Sequence, residues 1–161
     1  MVTPIGELLL TSDGQALTGV FMEPIQSSGR AAAARETDGD DAVLRVAREQ
    51  LAAYFAGALT AFDLPLAARG TPFQERVWAA LREVPFGTTV SYGDIARRIA
   101  SPAAVRAVGA ANGRNPLPIV VPCHRVVGAD GSLTGFGGGV ARKQWLLAHE
   151  ARVHGTQLDL R

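Results

Sequence analysis

The 161-residue chain predicts an α+β protein of two domains. Near the N-terminus, short apolar runs alternate with turn residues, as strands do. From Thr71 onward, apolar residues recur at helical spacing behind capping residues. Charge divides at the same place. Residues 1–70 hold nine acids and five arginines (net −4), whereas 71–161 hold six acids, ten arginines and one lysine (net +5). The expected domains are an α/β scaffold over 1–70 and a mostly helical unit over 71–161. A basic half points to a polyanionic partner.

No apolar run is long enough to span a membrane, and the first residues lack the basic and apolar regions of a signal peptide. A single cysteine, Cys123, allows no internal disulfide, which suits a reducing compartment. A cytoplasmic protein without a membrane partner is the expectation. The first half has neither Cys nor His, so soft metal ligation is excluded there. Neither a metal nor a cofactor is expected.

Ile5–Thr11 reads as a strand, Ser12-Asp13-Gly14 as a turn and Ala16–Phe21 as the returning strand. Residues 26–41 lack apolar periodicity and read as an exposed loop. Leu44, Ala47, Leu51, Tyr54 and Phe55 form one face of a helix over 41–55 that packs on the hairpin. Residues 61–66 alternate, and Pro65 would confine them to a sheet edge. Beyond Ala68-Arg69-Gly70, Thr71-Pro72-Phe73-Gln74 forms a capping box with proline at the first helical position. Ser91 and Asp94 open a second helix, and Ser101-Pro102 caps a third over 103–112. The last two form a helix-turn-helix pattern. Six of the ten residues of that third helix are Ala or Gly, and Arg106 is its single charge. Such a helix either packs tightly on a neighbour or is slim enough to enter a nucleic-acid groove. Ser101 would sit at its N-terminus, where free N–H groups suit a phosphate.

Ile119–Val127 reads as a buried strand with His124 and Arg125 in its core run. Polar groups there are costly unless paired, so they suggest a site. A Cys acts as a nucleophile through its thiolate and needs a base or a lowered pKa. In an extended segment His124 would point away from Cys123, so relay through a water is easier than contact. Glu150, at the end of a helix over 141–151, is a candidate to orient the imidazole, and a solvated glutamate is the alternative. Asn115 forms a local Asx turn or positions the thiol. The glycine-rich loop 135–139 matches no nucleotide-binding fingerprint. It lets backbone approach a flat ligand, with Phe136 as a stacking face. With no resolving thiol, a group taken up by Cys123 either hydrolyses or stays.

Pro122-Cys123-His124-Arg125-Val126, preceded by Asn115-Pro116-Leu117-Pro118 and followed by Gly135-Phe136-Gly137-Gly138-Gly139, resembles the O6-alkylguanine-DNA alkyltransferases. Thr3-Pro4-Ile5-Gly6, Ala53–Gly57 and the run from Thr71 to Glu150 extend the likeness over almost the whole chain. The resemblance implies a ribonuclease-H-like N-terminal domain and a winged helix-turn-helix-like C-terminal domain. It implies base flipping in duplex DNA, then irreversible transfer of an alkyl group from O6-alkylguanine, and from O4-alkylthymine, to Cys123. His124 is then the water-mediated base, Glu150 the acid completing the chain and Asn115 the residue beside the thiol. Tyr92 steers the phosphate and protonates the departing guanine. Arg106 fills the gap left by the extruded base on a helix placed in the minor groove. Ser101, Ala107, Gly109, Phe136 and Gly137 are the further DNA or substrate contacts. The implied partner is alkylated double-stranded DNA, bound by a monomer, with cooperative assembly along it left open. Phe136 stands where many members carry tyrosine, so a hydroxyl contact is lost there. The zinc some members bind is not expected. A non-catalytic lesion binder would lack the cysteine, and a cysteine hydrolase would need His124 better placed.

Overall fold

The computed structural model describes residues 1–22 and 41–156. The loop expected over 26–41 lies outside them apart from Asp41. The chain divides into two compact units, Met1–Arg69 and Gly70–Arg161.

In the first unit β1 (Val2–Thr3), β2 (Gly6–Ser12) and β3 (Leu17–Met22) form an antiparallel sheet in chain order. The register pairs Leu8 with Met22 and Leu10 with Val20. Leu8 and Leu10, two residues apart, share the buried face. Helix α1 (Ala42–Phe55) covers that face with Leu44, Ala47, Leu51 and Tyr54. Asp41 caps it by accepting from Leu44 N at 3.0 Å. The strand expected over 61–66 reduces to one bridge between Leu66 and Leu17. Leu17 N donates to the Pro65 carbonyl, so the proline takes part only as an acceptor.

The second unit is mostly helical. Helix α2 (Pro72–Arg82) begins at the Thr71–Gln74 capping box and turns Val77, Trp78, Ala80 and Leu81 inward. Strand β4 (Val90–Ser91) leads directly into α3 (Tyr92–Arg98), capped by Ser91 and Asp94. Next come α4 (Val105–Gly113), a 3₁₀ turn (Cys123–Arg125), β5 (Val126–Val127) and α5 (Val140–His154). Trp78 Nε1 donates to the Ala111 carbonyl at 2.9 Å and holds α4 against α2. Strands β4 and β5 pair in parallel, Val90 with Val126 and Ser91 with Val127. The pairing puts the start of α3 beside the end of the cysteine turn.

Two expectations are corrected here. Helix α4 starts at Val105 with Ala104 as its cap residue and no side-chain cap bond. The α3 end is a left-handed turn at Ala100 (φ 54°), closed by Ser101 N donating to the Ala96 carbonyl. That turn takes up Ser101, so it caps nothing. Its hydroxyl accepts instead from Arg76 Nη2 at 3.1 Å.

The run 119–127 is a strand only at Val126–Val127. Pro116, Pro118 and Pro122 carry no N–H to give a ladder, and Ile119 is left-handed at φ 75°. Val121 N folds back to the Leu117 carbonyl and Arg125 N to the Pro122 carbonyl. A buried β-branched residue in that conformation costs about 1–3 kcal/mol, which the fully buried packing around it must offset.

Candidate active site

The 3₁₀ turn aims three successive side chains about 120° apart, so Cys123, His124 and Arg125 each meet a different environment. All three are buried. Asn115 faces the Cys123 thiol. Its Oδ1 accepts from Leu117 N at 3.0 Å and its Nδ2 donates to the Val121 carbonyl at 2.8 Å. The Asx turn and the placement beside the thiol therefore coexist. Burial pushes the thiol up to about 11, against the opposing pull of Asn115, the Lys143 charge and nearby backbone N–H groups. At neutral pH the resting thiol keeps its proton.

His124 is fully buried, with Nε2 2.6 Å from Glu150 Oε1. Its Nδ1 has no hydrogen-bond partner among the described residues. Burial lowers its pKa while the Glu150 hydrogen bond and charge raise it, and burial prevails. The imidazole rests neutral, able to take a proton at Nδ1.

Glu150 is not the solvated glutamate of a helix end, because α5 runs on to His154 and buries it completely. Oε1 accepts from His124 Nε2 and from Arg125 Nη2 at 3.0 Å, and Oε2 from Arg125 Nε at 2.9 Å and Gly87 N at 3.0 Å. The two-pronged arginine pairing is the strong geometry for a carboxylate. Burial alone would raise the pKa of Glu150. The hydrogen bonds and charges of His124 and Arg125 outweigh it, holding the carboxyl below the usual range. Arg125 is fixed in turn by the Val84 carbonyl at 2.6 Å and by the Phe86 ring, 5.6 Å from its guanidinium carbon.

Gly87 places its N–H on Glu150 in a left-handed conformation at φ 73°, and a Cβ there would stand 2.6 Å from His154 Cβ. Gly87→Ala is expected to destabilise the protein by about 2 kcal/mol, combining the φ penalty with the clash. Thermal unfolding of G87A, H154G and G87A/H154G separates the two: removing the His154 Cβ and ring together should restore only part of the loss caused by G87A.

Tyr92, at the start of α3, is half-buried and donates to the Thr134 carbonyl at 2.7 Å. Burial and the neighbouring Cys123 raise its pKa. Gly135 crowds the phenol: a Cβ would lie 2.6 Å from its oxygen. Lys143 Nζ donates to the same Thr134 carbonyl at 2.6 Å and to the Val126 carbonyl at 2.5 Å, 5.9 Å from the Tyr92 ring centroid. Burial lowers its pKa to about 8, with Cys123 pulling the other way.

Gly109 on α4 lies against the Tyr92 ring, where a Cβ would meet it at 3.8 Å. Arg106, Ala107 and Ala110 are exposed on the same helix. Phe136 is buried (9% exposed). Gly137 approaches the Gly113 carbonyl, 3.5 Å from where its Cβ would be. The structure thus joins His124 with Glu150, sets Asn115 and Tyr92 near the thiol, and leaves Arg106 at the surface.

Three contributors escaped sequence reasoning: Arg125 as a fork on Glu150, Lys143 and Gly87. Lys143 did leave a signal, as the one lysine beside fifteen arginines. Among the described residues, no group of three or more His, Cys, Asp or Glu could hold a metal, and no helix is long and apolar enough to cross a membrane.

A buried thiol, a neutral imidazole and an anchored carboxylate make up a site suited to nucleophilic cysteine chemistry. Residues 1–68 match the ribonuclease-like domain of 6-O-methylguanine DNA methyltransferase, and residues 72–152 match its DNA binding domain. The methylated-DNA–protein-cysteine methyltransferase of Mycobacterium tuberculosis H37Rv is 51% identical over 148 residues, 92% of this chain and 88% of that protein. That of Mycobacterium leprae is 47% identical over 161 residues, 99% and 95% of the two chains. The crystal structure of Mycobacterium tuberculosis O6-methylguanine methyltransferase superposes with a TM-score of 0.84 at 50% identity, covering 94% of this chain and 90% of that one. The same organism's OGT in complex with DNA gives 0.84 at 49%, covering 95% and 91%. This chain belongs to the methylated-DNA–protein-cysteine methyltransferase family, and the two-domain α+β expectation holds.

Proposed function

We propose that the chain repairs duplex DNA by moving an alkyl group from guanine O6 to Sγ of Cys123, one lesion per molecule. The carrying observation is the buried sequence Cys123, His124, Glu150, Arg125. A thiol held protonated by burial needs a base at the moment of reaction. Its proton passes through a bridging water to His124 Nδ1, and the Glu150 carboxylate stabilises the imidazolium that forms. The sulfur then bonds to the alkyl carbon, the carbon–O6 bond breaks, and its electron pair stays on the base. Tyr92 donates the proton that neutralises the departing guanine. O4-alkylthymine, with a similar alkyl ether, is the second substrate.

The alkyl carbon lies inside the base stack, so the nucleotide is extruded before reaction. The exposed small residues of α4 suit close approach in the minor groove, and Arg106 occupies the vacated position. Such a monomer contacts mainly backbone and ignores sequence. Mass spectrometry after incubation with an O6-methylguanine duplex should find one added methylene on Cys123. Cys123→Ser should leave both protein and lesion unchanged. Recovery of intact lesion with unmodified wild-type protein would overturn the reading.

A further inference from the structure

Asn112 lies in the last turn of α4 with its side chain buried (1% exposed). Its Nδ2 reaches two carbonyls from different segments, Cys123 at 3.3 Å and Gly135 at 3.4 Å. Both partners only accept, which fixes the amide nitrogen on that side. The amide oxygen is buried with no partner among the described residues. An apolar residue would fill the position without leaving an acceptor unsatisfied, so the amide is costly to keep. What it provides is a direct tie from the helix bearing Arg106 to the thiol turn and to the glycine-rich loop.

The loop end is held from two other helices as well. Tyr92 of α3 and Lys143 of α5 both donate to the Thr134 carbonyl, next to Gly135. Of these three donors, Asn112 alone also bonds to the Cys123 carbonyl.

We propose that Asn112 is a positioning residue for alkyl transfer, setting the thiol turn and Gly135 in register with the DNA-facing helix. The inference rests on the alkyl-transfer reading above. Removing the tie leaves the thiol chemistry intact and misaligns sulfur against the bound base. A displacement of about 1 Å can cost 100-fold in rate.

The test is single-turnover alkylation of Cys123, with free O6-benzylguanine and with an O6-methylguanine duplex, in wild type, Asn112→Leu and Asn112→Ser. Trp78→Phe serves as a control: it removes another side-chain bond to α4, at the Ala111 carbonyl, and leaves both Asn112 bonds in place. The saturating rate should fall about 10-fold or more for both Asn112 variants on both substrates, with half-saturating concentrations within about two-fold of wild type. Trp78→Phe should lose thermal stability and keep its saturating rate. Asn112→Ser keeps a small polar side chain and supplies the measurement if the leucine variant does not fold. Wild-type rates in the Asn112 variants would overturn the inference, as would an equal loss of rate in Trp78→Phe. An unreactive wild type would instead remove the alkyl-transfer reading itself.

Discussion

Glu150→Gln should slow alkylation of Cys123 by about 100-fold or more, the scale of losing a positioned general base, while DNA affinity stays near wild type. Glu150 is fully buried, whereas Arg106, Ala107 and Ala110 of α4 are exposed. The amide keeps one acceptor, yet it cannot balance Arg125, which is 6% exposed and paired with both carboxylate oxygens. Breaking a buried pair by removing one partner costs about 3–5 kcal/mol, so thermal unfolding should fall clearly as well. Rapid-quench alkylation alongside a DNA-binding titration checks the kinetic claim. Wild-type rates in folded Glu150→Gln would exclude the relay. The pH dependence has a definite sign. Glu150 titrates lower folded than unfolded, so its stabilising contribution is complete above the ordinary carboxylate pKa of about 4.3 and drains away as pH falls below it. His124, also lowered, acts in the same direction from about pH 6.5 downward, because the unfolded imidazole takes the proton first.

Arg106→Ala should reduce repair of duplex O6-methylguanine by about 100-fold and leave reaction with free O6-benzylguanine within about two-fold. Only the duplex requires extrusion, which costs a few kcal/mol, and an inserted side chain recovers part of it. Arg106 sits on the exposed side of α4 between Val105 and Ala107. Its loss should therefore leave the thiol turn undisturbed. Parallel rate measurements on the two substrates decide the matter, since equal losses would deny Arg106 a role in flipping.

Much of this molecule was legible in its residues because the signals were local. The Thr71–Gln74 and Ser91–Asp94 boxes act within one turn of chain, and both formed as read. The helical spacing of Val77, Trp78 and Leu81 likewise marks a face that needs no distant partner to be recognised. The thiol segment misled because β-branched residues suggest a strand, while three prolines and a left-handed Ile119 deny it a ladder. Ser101-Pro102 looks like a cap, but the left-handed Ala100 one residue earlier spends that segment on ending α3. What remained hidden depends on long-range closure. Gly87 and Glu150 are 63 residues apart, and nothing near either announces their bond. Arg125 stood out as a charge in an apolar run, yet its partner 25 residues on could not be derived. Lys143 and Asn112 are ordinary helix residues until their helices dock, and only then do they meet the carbonyls around the thiol.

The burial of Cys123, 3% exposed and with its proton held up to about pH 11, bears on how long an unspent molecule lasts. On the reading proposed above, in which each molecule takes up one alkyl group, any stray oxidant or electrophile that reaches the sulfur first consumes a molecule. Such reagents attack accessible thiolates, and the resting protein presents almost none. Its reactivity is kept in reserve until a base in the pocket and a proton acceptor beside it coincide. The walls that make the nucleophile poor at rest are thus what preserves a one-shot reagent through the search for rare damage.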